Sequence, residues 1–248
     1  MRDIGDYESV VYDGENDFEV YQALYRKRRV LESLKKVRDG GVIVEAGCGL
    51  ESMFQYYDGF RKFICVEPAE KFYRLALEQK KDRDDIVVIN DFFENAISQM
   101  PKSVDCIICS SLLHEVENPY DFLMHIREVA DSNTVVHINV PNAKSMHRLL
   151  AMCSGLINDT HDMSDNNRML QQNTVFDLAL LREVIGRTGN VEILEQGSYF
   201  VKPFTHAQMK KCMDDGIMDR RILDGLYRLV EYMPELGSEI FIDFRWKS

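Results

Sequence analysis

Glu45, Gly47, Cys48, Gly49 and Glu51 crowd into seven residues directly after the apolar run GVIVEA. A strand leading into glycines is a turn against which a ligand can lie, because glycine permits sharp reversal and close approach to backbone amides. The carboxylates decide which ligand. A pyrophosphate would meet both Glu45 and Glu51, an unfavourable encounter. The GxGxxG spacing of dinucleotide sites also fails, since Ser52 holds the last glycine's place. A cationic ligand without phosphate suits the turn better. Glu67, followed by Pro68, ends the next apolar run eighteen residues after Gly49. An acid there can accept hydrogen bonds from both hydroxyls of a ribose. Asp91, after the third run, can accept from an adenine amine, and Phe92 offers an apolar ring. A capping Asp beside a core Phe is the compatible structural reading.

A second group of residues could act on a reaction partner. His114 lies four residues past Ser110, at the edge where such sheets bind ligands. Histidine is the usual base near neutral pH, although a packed helix-start histidine reads the same way. His147 and Arg148 follow the fifth apolar run. Arg148 could clamp a phosphate or carboxylate through two parallel bonds, or be half of a surface basic pair. In the polar stretch beyond, His161 could be held by Asp162 as a base or a substrate contact. Tyr7, Tyr12 and Tyr21 precede the first strand, and one could close over a bound cation. His125 and His137 read as structural. Cys106 and Cys109 mimic a CxxC motif inside VDCIIC, but residues three apart on a strand point to opposite faces. They read as buried small hydrophobes, and no metal site is expected.

These residues need elements to position them. GVIVEA, KFICVE, DIVVIN, VDCIIC and TVVHINV read as five buried strands. Between and after them fall a short helix near 52–57, a helix through AEKFYRLALEQKK, FFENAISQM, a helix opening at Asn118, and one near 144–152. This alternation predicts a parallel sheet covered on both faces. The last hundred residues differ. Residues 158–173 read as a polar loop or lid, 174–187 as an amphipathic helix, and VEILE and EIFIDFRW as late strands. Met209, Met213, Ile217, Leu223, Leu226 and Val230 recur at helical spacing between those strands. The expected architecture is α/β, a doubly wound, mostly parallel Rossmann-like sheet with an antiparallel edge strand. Residues 1–39 form a helical segment whose 16–38 stretch carries basic residues on its polar face. Residues 40–248 form one domain, with a polar lid or loop at 153–173 and a helical insertion at 203–236.

Composition narrows the partners. With 41 acidic and 30 basic residues and net charge −11, the chain lacks the basic surface that nucleic acid requires. A hydrophobic content of 45% excludes disorder as the main state. No apolar run nears the roughly 20 residues of a membrane span, and the acidic N-terminus lacks a signal peptide's apolar stretch. The expectation is a cytoplasmic protein with a small-molecule substrate, no nucleic-acid or membrane partner, and homo-oligomerisation left open. Six cysteines do not make a disulfide scaffold. S-adenosylmethionine, with an ammonium, a sulfonium and no phosphate, meets the requirements of the glycine turn.

VEAGCG, CVEP and NDFF resemble the first motif, the ribose-binding acid and the adenine segment of class I S-adenosylmethionine-dependent methyltransferases. The resemblance covers about 40–140, and SSLLHEVENP is similar to the segment after strand four in small-molecule members. It implies that Glu45, Gly47, Cys48 and Gly49 line the methionine moiety. Glu67 with Pro68 would hold the ribose, Asp91 and Phe92 the adenine, and Ser110 the far wall. The family usually has a third glycine where Glu51 stands. PNAKSMHRLL and SYFVKPFTHAQM look similar to a bacterial subgroup associated with sugar, polysaccharide or secondary-metabolite methylation. Tyr12, Asn142, His147, Arg148, His161 and Tyr199 are the residues expected on the substrate side. Asn118, Pro119 and Tyr120 imitate the motif of amino-methylating DNA enzymes but come nine residues beyond Cys109, where they read as a helix start. The implied activity is methyl transfer to an oxygen or nitrogen of a small polar metabolite, a sugar or sugar phosphate first among them. The alternatives are a nicotinamide-dependent oxidoreductase and a non-catalytic S-adenosylmethionine-binding module.

Overall fold

The computed structural model describes Ile4 and residues 18–247; Tyr7 and Tyr12 lie outside the described residues. Helix α1 (Glu19–Leu34) precedes β1 (Gly41–Ala46), β2 (Phe60–Val66), α2 (Glu70–Lys80), β3 (Ile86–Ile89), α3 (Phe93–Ala96), β4 (Cys106–Ser110), α4 (Pro119–Val129) and β5 (Val135–Pro141). Then come α5 (Met146–Cys153), α6 (Asp165–Met169), α7 (Leu178–Arg187), β6 (Val191–Tyr199), α8 (His206–Asp214), α9 (Arg220–Arg228) and β7 (Glu239–Trp246). The strands form one sheet in the order β3-β2-β1-β4-β5-β7-β6. Among the described residues no helix is long and apolar enough to cross a membrane.

Strands β1 to β5 pair in parallel, and β7 runs antiparallel to both β5 and β6. The sheet therefore ends in an antiparallel pair. The reversed strand sits one place in from the edge, and the outermost β6 runs with the others. Strand β7 is buried along almost its whole length, as an internal strand covered on both faces is. Ile240, Ile242, Phe244 and Trp246 join the core beneath α4 and α7, together with Val44, Cys109, Ile126 and Ile138. Phe241 faces the other way, into a cluster with Tyr25, Tyr199, Phe200, Met209 and Leu223. Cys106 lies in the core of the opposite face from Cys109, as strand geometry requires.

The short helix expected near 52–57 is a three-residue 3-10 helix (Met53–Gln55), after which the chain enters β2 at Phe60. Helix α1 covers that face, with Val30 and Leu34 packed in one cluster with Met53, Phe54, Ile43 and Phe63. The basic side of α1 meets acids of the late strands. Arg26 bonds Glu239 at 2.6 Å, and Arg29 lies 3.1 Å from Glu195 and 3.6 Å from Asp243. Lys36 reaches Asp243 at 3.0 Å. Glu239 and Asp243 are fully buried, so their charges must be met by partners supplied by α1 and β5.

Smaller boundaries also moved. The 153–173 segment contains the short α6, and α7 starts at Leu178 because Asp177 caps it through Leu180 N. Ile217 is 65% exposed, so it stands outside the packed stripe of α8 and α9. Asn118 accepts from Tyr120 N and Asp121 N with Pro119 opening α4, which makes that triplet a helix cap.

Burial raises the pKa of Glu239, but the Arg26 guanidinium outweighs it and holds the carboxyl at about 2. Asp243 is likewise driven up by burial and down to about 2 by its bonds to His137, Lys36 and Ser33. Acids with depressed folded-state pKa values contribute stability above their ordinary range of roughly 4, and that stability is lost as pH falls toward 2. Chemical denaturation between pH 5 and pH 2 should therefore show falling stability. Arg26→Met should cost about 3–5 kcal/mol near neutral pH, because it leaves Glu239 buried without its cation. A loss below about 1 kcal/mol would show that the pair does not hold α1 to β7.

Candidate cofactor and acceptor site

The strand order reverses between β1 and β4, and ligands bind doubly wound sheets at the carboxyl ends of the strands flanking such a reversal. The glycine turn lies there. Gly47 and Gly49 have φ of +73° and +57°, values that favour glycine. Gly47 N donates to Val66 O at 2.8 Å, which ties the turn to β2. The Glu67 carboxylate grips it from the same side. Its Oε2 accepts from Cys48 N at 2.9 Å and Gly49 N at 3.1 Å, and its Oε1 accepts from Ala69 N at 2.9 Å. Burial raises the pKa of Glu67 even against those three bonds and a fourth from the Cys48 side chain.

Glu45 braces the turn from beneath. It is 2% exposed, accepts from the Ser52 hydroxyl, and takes Met53 N at 3.2 Å. Burial pushes its pKa up to about 7, with the Ser52 and Met53 bonds opposing and the charge of Glu67 adding. Glu51, in contrast, points outward and pairs with Lys27 of α1. The acids that would repel a pyrophosphate are therefore Glu45 and Glu67, not Glu45 and Glu51. The Cys48 thiol is raised above its usual range by a hydrogen bond with Cys65 and by burial.

The next two strand ends follow. Asp91 Oδ1 accepts from Phe92 N at 2.8 Å and Asn95 Nδ2 at 2.7 Å, which fixes the half-buried Phe92 beside it. Pro68 is held from behind, its carbonyl accepting from Asn90 Nδ2 at 3.2 Å. Beyond Ser110, Ser111 adopts φ of +56°, a strained value for a residue with a side chain. His114 is 3% exposed, and its carbonyl accepts from Asn173 N and Thr174 N. The end of the polar segment thus lies over it.

The expected substrate-side residues separate. Asn142 does not face a ligand: its amide donates to Glu235 O and Gly237 O and accepts from Lys144 N. Tyr199 is buried, its hydroxyl given to Glu239. Arg148 donates to Thr160 O at 2.7 Å and Asp162 O at 2.6 Å, so it pins the loop instead of clamping an anion. His161 pairs with Asp159 and Asp177, not with Asp162, whose carboxylate accepts from Asn158 N and Asp159 N. Tyr21 packs against Phe18.

His147 keeps better company. Burial first, then the nearby charges of Lys202, Arg148 and His206, push its pKa down to about 3, so its ring is neutral at pH 7. Lys202 and His206 both meet Gln22 Oε1, at 3.1 and 3.0 Å. Sequence reading missed Gln22, Lys202 and His206. Gln22 and Lys202 stand 180 residues apart, and no local spacing links them.

Compared with known proteins, residues 44–138 match the model of a methyltransferase domain family. The chain is 28% identical to thiol S-methyltransferase TMT1B of Rattus norvegicus over 116 residues, 44% of this chain and 48% of that protein, with the same figures for Mus musculus. The chain thus spans about half the length of the curated relatives it matches. Among solved structures, an S-adenosylmethionine-dependent methyltransferase from Mesorhizobium loti superposes with a TM-score of 0.58 at 13% identity, covering 89% of this chain and 97% of that one. An S-adenosylmethionine-dependent methyltransferase from Archaeoglobus fulgidus gives 0.54 at 12% identity, covering 89% and 92%. The [4+2]-cyclase SpnF gives 0.57 at 12% identity, covering 89% and 80%. Likeness at such identities is a likeness of fold, and a cyclase shares it, so the fold alone does not fix the reaction.

The matched stretch runs from β1 to β5 and contains the glycine turn, Glu67, Asp91 and His114. Gln22, Lys202 and His206 lie outside it. Glu67→Ala removes a buried acceptor and its grip on the turn. S-adenosylhomocysteine affinity should fall by at least about 1–3 kcal/mol in calorimetry. Unchanged affinity in a folded variant would remove Glu67 from the cofactor site.

Proposed function

We propose that this chain holds S-adenosylmethionine at the 47–49 turn and methylates an oxygen or nitrogen of a small polar acceptor. The observation that carries the reading is the Glu67 carboxylate. It is buried at the end of β2 and bonded to the N–H groups of Cys48, Gly49 and Ala69, where a ribose lying on the turn would meet it. With Glu45 beneath the same turn, the electrostatics favour an ammonium and sulfonium and disfavour a diphosphate, which argues against the nicotinamide alternative.

S-adenosylmethionine supplies a methyl group already activated on a sulfonium. What remains for the protein is alignment and exclusion of water. Asp91 and Phe92 are the proposed adenine contacts, Pro68 flanks the ribose, and Ser110 closes the wall toward β4. His114 is the candidate base: its imidazole would take the proton that a hydroxyl acceptor gives up as the new bond forms. The 171–174 stretch, bonded to the His114 carbonyl, shields that region from solvent.

A sugar or sugar phosphate is the proposed acceptor, on the likeness of PNAKSMHRLL and SYFVKPFTHAQM to sugar-modifying bacterial enzymes. The thiol S-methyltransferases of Rattus norvegicus and Mus musculus that the chain resembles favour a second reading, a thiol acceptor. A thiol ionises more readily than a hydroxyl and depends less on a base. Transfer of labelled methyl to matched hydroxyl, amine and thiol panels separates the two. The proposal expects hydroxyl or amine products and a loss of about 10²–10⁴-fold in turnover for His114→Gln, with cofactor affinity kept. Thiol products with His114→Gln undiminished would establish the second reading. Cofactor binding with no product from any panel would make the chain a binding module.

The raised pKa of Glu45 adds a pH signature. A cationic ligand favours the carboxylate, so S-adenosylmethionine affinity should rise with pH and level off above about 7. Binding below that pH should release protons, seen as a buffer dependence of the calorimetric heat. Glu45→Gln should flatten the profile, and a flat wild-type profile between pH 6 and pH 8 would contradict the assignment.

A further inference from the structure

The chain between α5 and α7 turns back through the short α6 and ends beside His114. Hydrogen bonds hold both feet of this stretch. At the first foot Arg148 donates to Thr160 O at 2.7 Å and Asp162 O at 2.6 Å. At the second, Asn173 N and Thr174 N donate to His114 O at 2.8 and 3.1 Å, and Asn173 Nδ2 donates to Glu115 O at 2.8 Å. Just beyond, Ala143 N donates to the carbonyl of the buried Phe176 at 2.7 Å. The part between the feet is folded on itself. Ser164 N donates to Asn167 Oδ1 at 2.9 Å, Asn167 N returns to Ser164 Oγ at 3.1 Å, and the Asn167 amide reaches Gln172.

Leu170 ties that middle part to the opposite side of the ligand edge. With Ile4 it packs on Ala69 and Phe72, both fully buried, in a small cluster of its own. Ala69 follows Glu67 and Pro68 at the end of β2, whereas His114 follows β4. Strand β1 lies between those two strands and ends in the glycine turn. Strands two places apart are separated by about 10 Å. The chain from Leu170 to Asn173 reaches at most about 11 Å, which leaves no length for a detour. It therefore crosses the end of β1, over the 47–49 turn. Within the crossing, Gln171 has φ of +52°, a left-handed value that a side chain disfavours. A half-buried leucine and a strained residue make a weak closure between firm feet. Segments with few buried apolar contacts are the ones that open locally.

We propose that residues 163–172 form a strap across the cofactor site, latched by Leu170 on Ala69 and Phe72, which lifts to let S-adenosylmethionine in and S-adenosylhomocysteine out. The inference rests on the cofactor reading for what passes beneath, and on the strap's own contacts for the latch. Lifting exposes only part of one leucine and relieves Gln171, while the bonds at Arg148 keep the first foot in place. The second foot shares the His114 carbonyl, so the strap's position is coupled to the segment that carries the candidate base. A closed strap excludes water from the turn, and an open one exchanges the ligand.

The test follows S-adenosylhomocysteine binding to the full chain by surface plasmon resonance, beside amide hydrogen exchange of the ligand-free chain. Removing the half-buried side chain in Leu170→Ser should favour the open strap roughly five- to tenfold. Association and release should then both quicken by about that factor, with Kd changed less than about twofold, because a latch acts on passage in both directions. Leu170→Met should behave nearly as the wild type. In the ligand-free Leu170→Ser chain the Asn173 and Thr174 amides should exchange faster, while the Ser111 amide, bonded to Asn139 O, keeps its protection and reports an intact sheet. Rates indifferent to Leu170→Ser would overturn the proposal, even if exchange at the second foot rises. Faster release with unchanged association would also overturn it, since Leu170 would then be a ligand contact and not a latch. A wild-type chain that binds no S-adenosylhomocysteine would remove the cofactor reading itself, an outcome distinct from binding whose rates ignore Leu170.

Discussion

One buried carboxylate organises the ligand edge of the sheet. Glu67 reaches from the end of β2 to the N–H groups of Cys48 and Gly49 and to its own helix start at Ala69. In many related folds a helix after the first strand orients such a turn. Here only a 3-10 turn follows β1, and the amides are gathered by a side chain instead. Glu45 does the matching work below, through Ser52 and Met53. Two acids thus shape the turn; burial draws both toward their neutral forms, and a cationic ligand would favour their ionised ones.

A second constraint acts across the sheet. Because β7 is reversed and internal, Glu239 and Asp243 lie on a covered face, where α1 must neutralise them. The same helix covers β1, where no α-helical crossover follows the strand, and supplies Gln22, which meets Glu239, Lys202 and His206. The aromatic cluster of Tyr25, Phe200 and Tyr227, with stacked centroids 4.6 and 5.3 Å apart, keeps that helix seated against the late insertion.

The first half of the chain was largely legible in its sequence. Five apolar runs of strand length each ended in the residue types that gather at the carboxyl edge, and Asn118 with Pro119 announced its helix. Local spacing carried all of this. The acceptor side was not legible for the opposite reason. Asn142, Arg148 and Tyr199 stand near the right edge, but distant carbonyls and Glu239 had already claimed their polar atoms. Lys202 and His206 are assembled by Gln22 across most of the chain, and Glu51 was turned outward by Lys27. The basic stripe of α1 looked solvated because its acidic partners arrive only with β7.

The most direct test of the central claim is a crystal structure of the chain grown with S-adenosylhomocysteine. The account predicts a ribose hydroxyl within hydrogen-bond distance of Glu67, with the carboxylate still accepting from Cys48 N and Gly49 N. A nucleoside bound away from this turn, or a diphosphate lying across Gly47 and Gly49 when NAD is supplied instead, would contradict it.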